Sequence, residues 1–168
     1  MAYTNKTYVA FDADNDIRYY RLMQAWKQND NTSFNFYDAH DLTNIMSWSS
    51  EESIKASLRK RLESTKVFVL LVGERTKYHQ KFVKWEIEQA VARDLPIIVV
   101  NINGKRYKDD ELCPGVLDAE LALHVSFNQK IIEKALNNWE GLHQQYRRGG
   151  NSGAYRYNNE VYDSLGIR

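Results

Sequence analysis

The most chemically suggestive residues of this chain are two glutamates in the run Trp85-Glu86-Ile87-Glu88. The surrounding apolar residues recur at helical spacing, and the stripe predicted to be buried comprises Val83, Ile87, Ala90 and Val91. At about 100° per residue, Glu86 falls on the border of this stripe and Glu88 points to water on the opposite side. A carboxylate at such a border beside the predicted crevice can hold a shifted pKa, so Glu86 is the candidate functional residue.

A purely structural interpretation of Glu86 stays open. Partial burial would raise its pKa, whereas the nearby helix N-terminus would favour its ionised form. A glutamate in the first turns of a helix also commonly stabilises the helix dipole. Alternatively, it could form an ion pair with Lys84 or Arg93.

A second acidic run, Asp12-Ala13-Asp14-Asn15-Asp16, follows the first apolar segment. Its three carboxylates would repel a terminal phosphate, and neither G-x-G-x-x-G nor G-x-x-x-x-G-K-[ST] occurs, so no bound cofactor is expected. The histidines show no paired spacing, which predicts no metal site and a solvated or locally hydrogen-bonded role for each. They are His40, His79, His124 and His143.

Short apolar runs alternate with amphipathic stretches along the first 140 residues or so. The predicted strands are Tyr8–Phe11, Val67–Val72 and Ile97–Val100, with weaker candidates at Phe34–Tyr37 and Leu121–Val125. The predicted helices are Asp16–Gln28, Ser53–Glu63, Phe82–Arg93 and a fourth one with an apolar face from Ile131 to Trp139.

This alternation predicts an α/β fold of the flavodoxin-like class, with a parallel five-stranded sheet in the order 2-1-3-4-5 and helices on both sides. Ligands of such sheets bind beyond the carboxyl ends of the strands, where the strand order reverses. That crevice should lie between the first and third strands. Asp12–Asp16 and Gly73–Phe82 should border it, and the loop Asp38–Ser50 is long enough to cover it.

Length and composition restrict the remaining choices. The 168 residues, 43% hydrophobic and 27% charged with a net charge of +1, favour one globular domain and disfavour a nucleic-acid-binding protein. Cys113 stands alone, and neither a signal-type segment nor a run of 18 apolar residues occurs, so a cytoplasmic protein without a membrane partner is expected. Residues 1–145 are predicted to form the domain, and the Tyr-rich tail 146–168 is predicted to pack on it.

Several segments in order resemble Toll/interleukin-receptor (TIR) domains. Val67–Gly73, Thr76 and Phe82–Ala90 resemble the third strand and following helix, including a W-x-x-W-E-[IL]-x-x-A style motif. Tyr8–Asp12 resembles the first strand. The segments Phe36–Ala39 and Asn101–Asn103, with Trp48 and the helix Ile54–Ser64, are more similar to the TIR-like proteins of bacterial Thoeris antiphage systems than to animal receptors. The first strand nevertheless lacks the usual hydroxyl residue after Phe11.

The resemblance implies an enzyme that consumes NAD as substrate by breaking its nicotinamide–ribose bond. Glu86 matches the catalytic glutamate, Phe11 and Trp48 would flank a ring of NAD, and Asp12 or Asp38 would bind ribose hydroxyls. The product would be a cyclic ADP-ribose isomer, ADP-ribose or an ADP-ribose conjugate that reaches a downstream effector. Self-association is expected as well. The alternative is a non-catalytic module that docks other proteins through the loop Asp38–Ser50.

Overall fold

The computed structural model describes residues 6–29, 37–38, 50–79 and 81–168, with residues 37–38 as backbone only. Within these ranges, six strands form one sheet in which every neighbouring pair is parallel. They are β1 (Lys6–Ala10), β2 (Tyr37–Asp38), β3 (Val67–Val72), β4 (Ile97–Asn101), β5 (Ala122–Ser126) and β6 (Ala154–Arg156). Their order is β2-β1-β3-β4-β5-β6, so the first five strands lie in the order 2-1-3-4-5.

The sheet has one strand more than the sequence predicts. In β6, Ala154 and Arg156 pair in parallel with Ala122 and His124 of β5. A strand of three residues is too short to show the alternation of apolar and polar residues that predicts a strand, and the surrounding tyrosines do not alternate with apolar residues either. The fully buried, branched runs of β3 and β4 occupy the centre of the sheet, as is usual for strands covered on both faces.

Helices cover both faces of the sheet. They are α1 (Ile17–Gln28), α2 (Glu51–Glu63), α3 (Val83–Ala92), α4 (Gln129–Arg148) and α5 (Asn159–Ser164). The predicted boundary between residues 145 and 146 falls inside α4, which continues to Arg148 and ends at Gly149. Among the described helices, even the longest is too polar to cross a membrane.

Alternating strand residues divide the core into two layers. One layer contains Val9 and Val69 with the buried residues of α1 and α4, and the other contains Tyr8 and Phe68 with those of α2 and α3. Successive side chains of a strand point to opposite faces, so neighbours in β1 belong to different layers. This division determines which predicted site residues can meet.

The C-terminal segment extends the first of these layers. Tyr162 of α5 is fully buried, and its hydroxyl accepts a hydrogen bond from the backbone N–H of Ser126 at 3.2 Å. Tyr155 of β6 stacks on Tyr146 of α4 with ring centroids 4.6 Å apart. β6 and α5 thereby cover the edge of the sheet formed by β5.

Candidate functional site

The loops that follow β1 and β3 meet at the carboxyl edge of the sheet. The backbone N–H of Gly73 donates to the buried Thr76 Oγ1 at 2.8 Å, which tightens the turn after β3. A Cβ atom on Gly73 would lie 2.3 Å from Oδ2 of Asp16, so a larger residue at this position would displace the Asp16 carboxyl group. The two segments expected to border a crevice are therefore in direct contact at this point.

Asp12 is the centre of the loop after β1. Its side chain is fully buried, and its Oδ1 accepts a hydrogen bond from the backbone N–H of Asp14 at 3.1 Å and lies 2.8 Å from Nε2 of His79. Its Oδ2 accepts from Nδ2 of Asn15 at 2.6 Å. Both oxygens are thus used to hold the loop and to join it to the segment after β3.

Asp12, Asp14 and His79 are also the group within the described residues with the spacing of metal ligands. One ligand atom from each lies within 4.8 Å of the others. The hydrogen bonds of Asp12 account for this arrangement without an ion, and the predicted absence of a metal site stays a prediction.

Asp16 is buried next to this group. Burial raises its pKa, and the neighbouring Asp12 raises it further. Its Oδ2 has no hydrogen-bond partner among the described residues. The loop after β1 consequently holds a second, less well-satisfied carboxyl group.

Glu86 lies in the first turns of α3 and is only 4% exposed. The hydroxyl of Tyr8 in β1 donates a hydrogen bond to its Oε2. Burial raises the pKa of Glu86 to about 8, and the hydrogen bond from Tyr8 opposes this shift. The sequence places Glu86 at the border of the buried stripe, but the structure buries it completely because α3 packs directly against the sheet.

The ion pairs considered for Glu86 do not form. Lys84 lies 4.0 Å from Glu88, which is exposed as predicted, and Arg93 donates to Gln89 at 2.6 Å. No described cation balances Glu86. Among the described residues, the hydrogen bond from the Tyr8 hydroxyl is therefore the interaction that stabilises an ionised Glu86.

Tyr8 is the site residue that sequence reasoning missed. It faces α3 because β1 alternates, with Tyr8 and Ala10 on one face of the sheet and Val9 and Phe11 on the other. A tyrosine in a buried strand needs a hydrogen-bond partner for its hydroxyl. The alternation of β1 could therefore have predicted a polar partner for Tyr8 on the face of the sheet that it shares with Ala10.

The other predicted contacts lie elsewhere. Phe11 stacks on Tyr20 with ring centroids 4.7 Å apart, in the layer opposite to the one that contains Tyr8. The backbone of Asp38 pairs with Thr7, and its side chain lies outside the described residues, as does Trp48. The structure brings Glu86 to Tyr8 and does not bring it to Phe11.

Comparison with known families identifies the family of this chain. The family model of the Thoeris protein ThsB, TIR-like domain, matches residues 8–107. The chain belongs to this family. It is therefore a defence-related TIR-like domain, and the match includes Glu86, Tyr8 and the acidic loop after β1. The elements β5, α4, β6 and α5 lie beyond the matched residues.

Two cavities of the TIR-like domain flank its carboxyl edge. One, of about 310 Å³, is lined by Asp16, Gly73 and Ile102 among others. The other, of about 220 Å³, lies beside α3 and is lined by His79 and Ile87 among others. Glu86 lines neither of these two, because it points inward toward Tyr8.

The histidines of the TIR-like domain differ from one another. His79 contacts Asp12, and Nε2 of His143 lies 3.1 Å from the backbone oxygen of Asp94. His124 contradicts the prediction of a solvated or hydrogen-bonded side chain: it is fully buried in β5, and neither ring nitrogen has a partner among the described residues. Burial lowers its pKa to about 4. The remaining histidine, His40, lies outside the described residues.

Proposed function

We propose that this TIR-like domain is an NAD-consuming enzyme that cleaves the nicotinamide–ribose bond and makes an ADP-ribose-derived signal in antiphage defence. The observation that supports this proposal best is the environment of Glu86. It is a buried carboxyl group without a described counter-charge, and one hydroxyl group donates to it. Strongly shifted pKa values of this kind are typical of functional carboxyl groups.

The reaction needs negative charge near the ribose. The bond between C1′ and the nicotinamide nitrogen breaks, its electron pair goes to nicotinamide, and positive charge develops on C1′ and the ring oxygen. Nicotinamide leaves as a neutral base and needs no proton. An ionised Glu86 would stabilise the oxocarbenium-like centre, as a carboxylate does in glycoside cleavage.

The second half of the reaction gives Glu86 another task. A hydroxyl group of water, or of the ADP-ribose itself, bonds to C1′ and releases a proton. A carboxylate with a raised pKa accepts this proton more readily than an ordinary glutamate does. In the free protein Glu86 has a pKa of about 8, and the positive charge of bound NAD would favour its ionised form.

The remaining predicted residues have separate proposed roles. We propose that Trp48 and Asp38, on the segment from β2 to α2, contact the nicotinamide ring and the ribose hydroxyls. Phe11 and Asp12 are proposed to support the site from the end of β1, because Phe11 is stacked in the core and Asp12 holds the acidic loop. Self-association and an effector that responds to the product complete the proposal.

The test is nicotinamide release from NAD by the purified protein, with and without extract from phage-infected cells. Glu86→Gln should lower the rate about 10²- to 10³-fold, because glutamine cannot supply negative charge. Glu88→Gln is the matched control, since Glu88 is exposed on the same helix, and it should retain full activity.

Three other results would contradict the proposal. Equal rates for the wild type and Glu86→Gln would end the role of Glu86. Equal losses in both variants would point to the surface of α3 instead. No nicotinamide release under either condition would favour the non-catalytic docking module.

A further inference from the structure

A third cavity among the described residues lies away from Glu86 and combines positive charge with an exposed aromatic ring. It has a volume of about 680 Å³, within the size range of small-ligand sites. The loop after β4 forms one wall and the segment from β6 into α5 forms the other. Because the sheet is parallel, this cavity lies beyond the carboxyl ends of β4 and β6, where such sheets bind ligands.

Three cations and one carboxylate line this cavity, namely Lys105, Arg106, Arg156 and Glu160. Nζ of Lys105 lies 3.3 Å from the buried Asp109, and the guanidinium of Arg106 lies 4.2 Å from the ring centroid of Tyr162. Two of the cations are thus held in place by the core. The local excess of positive charge contrasts with the net charge of +1 of the whole chain.

Arg156 is the cation available to a ligand. It is exposed, and its guanidinium has no hydrogen bond or ion pair with any residue that the structure describes. Its guanidinium lies 5.9 Å from the ring centroid of Tyr107. A planar guanidinium can donate two parallel hydrogen bonds to a phosphate group, so Arg156 suits a phosphate-bearing ligand.

Tyr107 provides the second half of the recognition. Its side chain is 48% exposed in the lining of the cavity, and Nζ of Lys105 lies 6.0 Å from its ring centroid. Exposed aromatic rings beside cations are the usual platform for stacking a nucleobase whose phosphates contact the cations. A phosphate ion alone would leave this ring unused.

We propose that this cavity binds a nucleoside diphosphate, with its pyrophosphate on Arg156 and its base against Tyr107. The site is independent of the chemistry proposed for Glu86. One wall, residues 156–160, lies beyond the segment that matches the TIR-like family model, so the C-terminal segment supplies half of the site.

The experiment measures binding of ADP, inorganic pyrophosphate and adenosine to the full chain by isothermal titration calorimetry at low salt. ADP should bind with one site per chain and more tightly than either of its parts. Arg156→Gln should weaken ADP binding about tenfold or more, the effect of one charge-assisted hydrogen bond. Tyr107→Ala should weaken binding of ADP but leave binding of pyrophosphate unchanged.

Two control variants test whether the effect is confined to this cavity. Arg21→Gln removes the same charge from an exposed position on α1 and should bind ADP like the wild type. Glu86→Gln should also bind ADP normally, so that a failure of the proposed NAD chemistry would leave this result unaffected.

Several outcomes would overturn the proposal. These are wild-type affinity for ADP in Arg156→Gln, an equal loss in Arg21→Gln, or no binding of ADP at millimolar concentration. Pyrophosphate binding as tight as that of ADP would show that the base does not contribute to binding. Tighter binding of a single-stranded oligonucleotide than of ADP would identify a nucleic-acid surface instead.

Discussion

Asp12 and Glu86 are two carboxyl groups that are almost equally shielded from water, with exposures of 0% and 4%. Asp12 accepts hydrogen bonds from the backbone of Asp14 and the side chain of Asn15, and it contacts His79. Glu86 accepts from the hydroxyl of Tyr8, and burial raises its pKa to about 8. The two groups differ in what surrounds them rather than in how deeply they are buried.

This contrast shows why burial alone does not identify a functional residue. A buried carboxylate whose two oxygens accept hydrogen bonds from its own loop has its hydrogen-bonding capacity used by the fold. A buried carboxyl group with one donor and no cation costs stability whenever it ionises, and folds retain such groups mainly at functional sites. Asp12 therefore fits a structural role, whereas the surroundings of Glu86 fit the chemical role proposed for it.

The largest effect on stability is expected for Asp12→Ala. This change leaves the side chain of Asn15 and the N–H of Asp14 without their acceptor, which should lower the free energy of unfolding by about 2–4 kcal/mol. Asp14→Ala is the control, because its exposed carboxylate can be removed while its backbone N–H remains. Denaturant unfolding measures both variants, and similar values for the two would show that Asp12 does not hold the loop.

Glu86→Gln is expected to raise the free energy of unfolding, in contrast to Asp12→Ala. Between pH 4.5 and about 8 the folded protein keeps a proton on Glu86 that the unfolded chain releases, so this residue makes the wild type less stable as the pH rises. Glutamine lacks this effect. The melting temperature of the variant should therefore exceed that of the wild type by a gap that widens over this range and levels off above pH 8.

For a pKa raised from 4.5 to about 8, the widening should be on the order of 5 kcal/mol. Each kcal/mol corresponds to roughly 2–4 °C in Tm for a chain of this size. Thermal melts of the wild type, Glu86→Gln and Glu88→Gln over the same pH series provide the measurement. Glu88→Gln should show no gap. A constant gap between the wild type and Glu86→Gln would mean that Glu86 titrates like an exposed glutamate.

Much of the fold follows from local patterns in the sequence. The branched runs of β3 and β4 and the helical stripe of α3 identify central strands and a buried face without any tertiary information. β6 could not be found this way, because its three residues are a strand only through pairing with β5. The same holds for α5, whose six residues depend on the burial of Tyr162.

The candidate site divides in the same way. Glu86 stands out from its helical position, but the partner that sets its environment comes from Tyr8, 78 positions away. Such contacts between distant segments leave no local pattern. His124 is a second residue whose environment could not be predicted locally. Its burial in β5 follows from the position of that strand between β4 and β6 and not from its neighbours in sequence.

Tyr8→Phe is the finest test of the contrast between the two carboxyl groups, because it removes one oxygen atom from the surroundings of Glu86. Phenylalanine keeps the stacking on Phe68, whose ring centroid lies 5.6 Å away, so the loss of stability should be only about 1 kcal/mol. The hydrogen bond from Tyr8 lowers the pKa of Glu86 against the effect of burial, so this pKa should rise further when the hydroxyl is removed.

If ionised Glu86 carries the reaction, the acidic limb of the pH profile of kcat/KM, which reports the free enzyme, should move about one pH unit to higher pH in Tyr8→Phe. The maximal rate at alkaline pH should change little, because the carboxylate itself remains. Tyr20→Phe, in the opposite core layer, is the matched control and should leave the limb in place. An unchanged limb in both variants would show that the hydroxyl of Tyr8 does not tune the pKa of Glu86, and that this hydrogen bond is not what distinguishes Glu86 from Asp12.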